Sequence, residues 1–590
     1  MDRRAFTLLK TWCDRYLSLQ LGAEFGSDFQ GAILCPACGI LHGRASDMAY
    51  PLTLLWRITG EDKYLHGAES AVDWVERKMI MPETGLYRND FSSSWYGISV
   101  FGYMALSDAR QAGGEALPKP LREKWDAILR RLAAGIYTEL AKPSFRPNVN
   151  YFAGGAAVMA RAWRSEKKKT YRARAEKWAD LTLSYVTSDG MLSGEGYHSE
   201  KRKSPRGFVP VDLGYNAEES IPLLFSAAED LEDAALFKRA AELLDTLLPF
   251  LLPDGGLDNS WGARAAKWTW YGSRTSDGIG SALIRRPEDP TWLEAAARTL
   301  SLYERLTVDG LLAGGAMHRE AGEPVCIHHT FTHAKALAHM LESGLDLTPT
   351  GEPLPSETFQ GVRNYPSAGV TLASFGDFRA SFYDSDYTQD PRLSPRGGSM
   401  TLLWHAKCGP ILAATPNEYY PAEPQNMQEL RFGGPILNMT PRIDAGEYSS
   451  VHDTGFVFSF DRDRSLFTSK GFLTGLSGRV LTLETQENAR YEYAVRFTGE
   501  EVRIVLRSSA PASLFRLPVI AGRDDETELS ENRVRIRRPG GVIEIETDGR
   551  LEAPFGIAER RFNPVGGFDH LMLDVPLVPG EGREIVIRVR

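Results

Sequence analysis

The chain has 590 residues, 43% of them hydrophobic and 25% charged, more than one ordinary core holds, and it reads as two large globular domains. Its formal net charge of −9 argues against a nucleic-acid partner, which would need clustered Lys and Arg on one face. Five scattered cysteines, at 13, 35, 38, 326 and 408, exclude a disulfide framework, and no stretch approaches the ~20 apolar residues that span a bilayer.

The first residues, Met1 to Tyr16, carry apolar side chains at helical spacing but no uninterrupted apolar signal core, so a reducing, cytoplasmic location is expected. Helical periodicity then recurs near 4–20, 46–59, 64–79, 95–112, 119–141, 151–165, 168–187, 216–230, 233–250, 275–285, 290–305 and 328–342. Helices in sequence, joined by alternating short and long loops, predict an (α/α)6 toroid over 1–347 with its long loops gathered at one end as a cleft. The Pro- and Gly-rich stretch that begins Thr348-Pro-Thr-Gly-Glu-Pro-Leu-Pro predicts a linker over 348–366. Beyond it the period becomes two, in runs near 369–375, 379–383, 399–405, 455–460, 503–507, 542–547 and 584–590. These predict an antiparallel β-sandwich over 367–590, and the fold class is α+β multidomain.

Chemistry concentrates in the loops of the helical half. The segment 189–219 sets Tyr197 and His198 in a Gly-rich stretch, follows them with a basic run holding Arg202 and Arg206, and ends on Tyr215-Asn216-Ala-Glu-Glu219. Removing the proton beside a uronate carboxylate needs that carboxylate neutralised and a base within hydrogen-bond reach. Asn, His and Arg serve the first need, Tyr or His the second. Tyr197 and His198 are therefore expected to move the proton, with Tyr215 as the other candidate base, while Arg202 and Arg206 draw a carboxylated sugar to the cleft mouth. Asn216 reads as a helix cap or a substrate contact, and Glu218 and Glu219 as favourable charges at a helix start. Asn148 and Asn150 stand before another helical pattern, where either can cap it.

The stretch 258–277 is dense in Trp, Tyr and Arg: Arg274 is expected to clamp a carboxylate, and Trp270 and Tyr271 to stack on sugar rings, as are Trp95 and Tyr96. His42 and Arg44 are expected along the cleft, and His328, His329 and His333 at the substrate. No cofactor or metal is expected. His329 and His333 lie four apart on one helix face but lack a third ligand, and the single Cys35-Pro-Ala-Cys38 with His42 reads as a buried turn. The chain has no Gly-x-Ser-x-Gly elbow, P-loop or dinucleotide fingerprint, which argues against acyl transfer and nucleotide chemistry.

Taken together, Cys35-Pro-Ala-Cys-Gly-Ile-Leu-His-Gly-Arg44, Pro147-Asn-Val-Asn-Tyr151, Gly194-Glu-Gly-Tyr-His198, Gly214-Tyr-Asn-Ala-Glu-Glu219 and the stretch 258–277 resemble the heparinase II/III-like toroid polysaccharide lyases, most nearly the L-rhamnose-α-1,4-D-glucuronate lyases. The resemblance implies β-elimination at C4 of a uronic acid in an oligosaccharide, leaving an unsaturated uronate. It also implies that Asn150 faces the carboxylate from the start of an inner helix and that a Tyr serves as base and acid. The expected location suggests a small imported oligosaccharide as substrate. Two other readings stay open: a glycoside hydrolase using two carboxylates from Asp189, Glu195, Asp212, Glu218 and Asp258, and a non-catalytic glycan-binding protein.

Overall fold

The computed structural model describes residues 2–590 apart from 146, 196–202, 388–389, 391, 394, 396, 424–426, 432–433 and 478–481, and apart from the side chains of 476–488. Its helical half alternates two kinds of helix. Arg3–Leu19, Asp62–Lys78, Lys119–Glu139, Lys169–Leu183, Ala234–Leu247 and Pro290–Arg305 each bury one stripe; in the first it is Ala5, Leu8, Leu9, Trp12, Cys13 and Tyr16. Side-chain caps start several of these outer helices, as where Asp2 accepts from the Arg4 and Ala5 amides at 2.8 and 2.9 Å. Ala49–Thr59, Ser99–Gly113, Val149–Glu166, Ile221–Leu231, Gly280–Leu283 and Ile327–Glu342 are instead buried over most of their circumference. Each of these inner helices touches the next and the last touches the first, which closes a ring. This is an (α/α)6 toroid.

Every inner helix begins at the same end of the ring, because each is reached through a long loop from an outer helix. Their N-termini place partial positive charge there.

The β half starts with a five-stranded antiparallel meander, Gly361–Tyr365, Val370–Phe375, Phe378–Tyr383, Ser399–His405 and Gly409–Ala413. Its first strand falls inside the expected linker, since an edge strand reading Gly-Val-Arg-Asn-Tyr and mostly open to solvent has no alternation to reveal it. One face of this sheet, including Tyr365, Val370, Leu402 and Trp404, joins the core of the toroid. The other, including Phe378, Phe382, Met400 and Leu403, packs on an antiparallel sheet of 13 strands, with Phe382 stacked on Phe467 at 4.2 Å. The molecule is thus a toroid followed by an antiparallel β-sandwich, with the smaller sheet as the middle layer.

The sandwich docks on the loop end of the toroid. Gln428 donates to the Pro324 carbonyl at 3.0 Å, the Arg431 amide to Glu323 at 2.8 Å, and Phe568 meets Trp270 edge to face at 4.9 Å. No helix among the described residues is long and apolar enough to cross a membrane.

Candidate active site

Where the sandwich meets the loop end, polar side chains from four segments converge. Val149–Glu166 opens the first. Asn148 occupies its N-cap position without a side-chain cap bond, which leaves Asn150, one residue into the helix, to point elsewhere. The Asn150 Nδ2 donates to Glu219 Oε2 at 2.5 Å, its backbone N–H donates to Glu195 Oε1 at 3.3 Å, and its Oδ1 is buried without a partner.

Glu219 belongs to a π turn, Asn216–Ser220, inserted before Ile221–Leu231. The true cap of this entry is Asp212, which accepts from the Tyr215 amide at 3.0 Å. The wider turn directs the neighbouring Glu218 and Glu219 both inward, and neither serves as a solvent-facing helix charge. Burial, together with the nearby Asp277, pushes the Glu219 carboxyl up to about 8. Burial likewise raises Glu195 well above the usual carboxylate range, against the opposing pull of Arg264.

Tyr215 stands beside this pair. Its hydroxyl meets Thr275 Oγ1 at 2.5 Å, Lys267 Nζ donates to it from 3.4 Å, and the Arg264 guanidinium lies 4.3 Å over its ring. Burial raises the phenol above its ordinary value while Arg264 opposes the shift. Burial and Arg264 also pull Lys267 down to about 8, although it pairs with Glu423 of the sandwich at 2.5 Å.

An aromatic platform flanks Asn150. Trp95, 36% exposed, lies parallel to Phe145 at 5.3 Å and 17°, and Tyr96 stacks on the same Phe145 at 5.3 Å and 22°. The Trp95 Nε1 donates to the Tyr151 hydroxyl at 2.9 Å. Position 97 is glycine because a Cβ there would come within 2.5 Å of the Tyr151 ring.

The structure thus brings together Asn150, Tyr215, Trp95 and Tyr96 among the residues picked from sequence. Tyr197, His198 and Arg202 lie outside the described residues, on the stretch that follows Glu195. Arg206 is committed elsewhere: its guanidinium donates to Asp384 Oδ1 at 2.9 Å and its amide to Asp386 at 3.1 Å, which straps the loop to the sandwich. Asn216 is not a cap but a buried tether, with its Nδ2 donating to the Leu192 carbonyl at 2.7 Å.

Trp270 and Tyr271 are each 1% exposed, so they offer no face to a sugar. Trp270 fills the seam with Phe568, and Tyr271 bonds His329 and packs on His333. Arg44 is held in a buried network with Asp47, Asp277 and Lys335, and His333 sits 3.2 Å from Glu218. His42 and His328 pack against each other at 4.8 Å in the core, and His329 is buried with them. Arg274 is buried beside Cys326 and Tyr419 with its Nε unpaired.

Sequence reasoning missed Arg264 and Lys267 as cations of the site and Glu423 as their partner. The first two lie in the aromatic stretch already singled out; Glu423 is 156 residues from Lys267, and no local pattern joins them.

The carboxylate pair needed by a hydrolase is not supplied by the candidates considered for it. Asp212 is a cap, Asp258 accepts from Ser260 and Ser381, Asp189 accepts from the Ser367 amide, and Glu218 is enclosed by Ser273, Ser276 and His333. Glu195 is fully buried against the Asn150 amide and Arg264, in a setting that disfavours its ionised form.

Comparison with known proteins agrees. The chain is 30% identical over 585 residues to a broad-specificity ulvan lyase from Formosa agariphila, covering 96% of this chain and 91% of that protein. A solved chondroitin AC lyase from Streptomyces coelicolor A3 superposes with a TM-score of 0.50 at 13% identity, covering 100% of this chain and 80% of that one, a likeness of fold. Residues 9–357 match the family described as the ulvan lyase N-terminal domain and residues 362–590 the ulvan lyase C-terminal domain, so the chain belongs to the ulvan lyase family and is a carbon–oxygen lyase acting on polysaccharides.

Proposed function

We propose that this lyase breaks the C4 glycosidic bond of a uronic acid in ulvan-type chains or their oligosaccharides, with the L-rhamnose-α-1,4-D-glucuronate linkage as its first substrate. The observation that carries this reading is Tyr215 held against Arg264 and Lys267, with the buried Asn150–Glu219 pair beside it. The name of the Formosa relative supports the polysaccharide, and the sequence resemblance supports the linkage.

In this mechanism the uronate carboxylate lies against Asn150 and the protonated Glu219, within the field of Arg264. Hydrogen bonds to the carboxylate strengthen as negative charge develops on it, which acidifies C5–H. Tyr197 or His198 takes the C5 proton, the electron pair forms the C4–C5 double bond, and the C4–O bond breaks. Tyr215, a phenol at rest, gives its proton to the leaving oxygen. Lys267, donating to the same phenol oxygen, restores that proton. Trp95 holds a neighbouring sugar by stacking.

Ulvan oligosaccharides are the test, with ultraviolet absorbance and product mass as readouts. Elimination gives an absorbing product without added water. Tyr215→Phe should lower turnover by roughly 10²-fold or more. A uronate bearing an aryl leaving group at C4, which needs no protonation, should restore that variant while Tyr197→Phe and His198→Ala stay impaired. Products carrying an added water would replace elimination by hydrolysis, and undiminished turnover by Tyr215→Phe on the natural glycan would remove Tyr215 from the chemistry.

A further inference from the structure

Beside Arg274 lies a second cluster that the elimination does not use. Cys35, Cys38 and His42 bring one ligand atom each to within 4.8 Å of one another. Cys326, 291 residues further along than Cys35, places its Sγ 3.6 Å from that of Cys35 and also contacts Cys38. The Cys38 Sγ and His42 Nε2 are 3.5 Å apart.

Tetrahedral zinc, with Zn–S of about 2.3 Å and Zn–N of about 2.0–2.1 Å, holds two sulfurs about 3.8 Å apart and a sulfur and a nitrogen about 3.6 Å apart. The Cys35–Cys326 and Cys38–His42 spacings are those of two such edges. A disulfide would require about 2.05 Å, and it would leave the third thiol and the imidazole with no role.

The local chain geometry is that of a ligand loop. Cys35-Pro-Ala-Cys38-Gly39 closes on a hydrogen bond from the Gly39 amide to the Cys35 carbonyl at 3.0 Å, and Gly39 takes φ +67°, a left-handed value suited to glycine. That turn directs the Ile40 amide at the Cys38 sulfur, the kind of donor that supports a thiolate. His42 is 0% exposed, and the only polar contact of its ring among the described residues is the Cys38 thiol, an expensive position for an imidazole without a further partner. Cys38, partly exposed, leaves a path for an ion to enter.

We infer that Cys35, Cys38, His42 and Cys326 form a Cys3His zinc site. Binding releases the thiol protons to solvent and leaves three thiolates around the ion, one net negative charge, which the buried Arg274 beside Cys326 balances. Cys326 is the N-cap residue of Ile327–Glu342, the last inner helix, while Cys35 and Cys38 sit in the loop before the first. The ion therefore clasps the ends of the toroid, and Arg274 is a positioning residue of that clasp rather than a free carboxylate clamp.

The test uses the full chain purified with reducing agent, its metal content measured by mass spectrometry and its thiols titrated in denaturant with chelator. One zinc per chain and five titratable thiols are expected. Cys38→Ser and His42→Ala should lose zinc at least fivefold, and Cys13→Ser and Cys408→Ser should keep it. Cobalt loaded into the wild-type chain should show the intense visible bands of a tetrahedral thiolate site, a readout that does not depend on any variant folding. Three titratable thiols, which would reveal a disulfide, or five thiols with no zinc and only octahedral cobalt spectra, would overturn the assignment.

Discussion

Glu219 has its carboxyl where ionisation is costly, and the consequence is measurable in stability. Its folded value, about 8, lies above the ordinary 4.5, so the folded chain binds this proton more tightly than the unfolded one. The stabilisation is complete below about 4.5 and is lost as pH rises through about 8. Glu219→Gln, which keeps the acceptor for Asn150 and removes the titration, should flatten the decline in urea-unfolding free energy between those limits. The wild-type contribution to that decline is at most about 1.4 kcal/mol per pH unit. Equal slopes for the two proteins would show that Glu219 is ionised throughout. At this scale the sequence placed Asn150, Trp95 and Tyr96 at helix starts, and the structure finds Asn150 on Glu219 and the two aromatics on Phe145. It was not legible for Trp270 and Tyr271, because aromatic density is the same in a sugar cleft and in a domain seam. Arg264 and Lys267 went unread because only the fold sets them over Tyr215.

The loop 203–212 is an element held by its ends. Arg206 and its amide bond Asp384 and Asp386, the Val209 amide donates to the Ser367 carbonyl at 2.9 Å, and the Gly194 amide donates to the Pro210 carbonyl at 2.9 Å. Through the last bond the strap reaches Glu195 and the start of Val149–Glu166, where the Val149 amide donates to the Gly194 carbonyl at 3.1 Å. Arg206→Ala removes the side-chain ties to Asp384 but leaves the backbone ones. The partly exposed ion pair is worth only about 1 kcal/mol or less, so the melting temperature should barely move. Amide exchange over 203–212 should quicken, and kcat should fall roughly 3- to 10-fold if the adjoining Tyr197 and His198 act as proposed. Unchanged exchange in this loop would assign its order to the backbone bonds alone. Periodicity revealed the helices flanking this loop, since each presents a 3.6-residue stripe or an unbroken apolar run. It could not reveal the strap, whose partners lie 178 residues away in the β half, nor the π turn, which differs from an ordinary helix start by a single residue.

For the whole molecule, the layer order determines whether the toroid can stand alone. The middle sheet is buried on both faces, and Tyr365, Val370, Leu372, Tyr383, Leu402 and Trp404 belong to the same apolar core as the inner helices. The alternating runs announced a sandwich but not that its smaller sheet would be sealed by helices, because a strand such as Ser399–His405, buried at every position, shows no polar face. The shared core predicts that the two halves unfold as one. Calorimetry on the full chain should give a single transition, and a fragment ending at 357 should lose near-ultraviolet dichroism and aggregate, having exposed the toroid face that these side chains cover. The fragment also lacks Glu423, the partner of the buried Lys267, so any soluble portion should be inactive even on small oligosaccharides. Two resolved transitions, with a monomeric fragment melting where the first one does, would mean that the helical core is complete without the sheet, and that the sandwich contributes to the site by contact rather than by holding the toroid together.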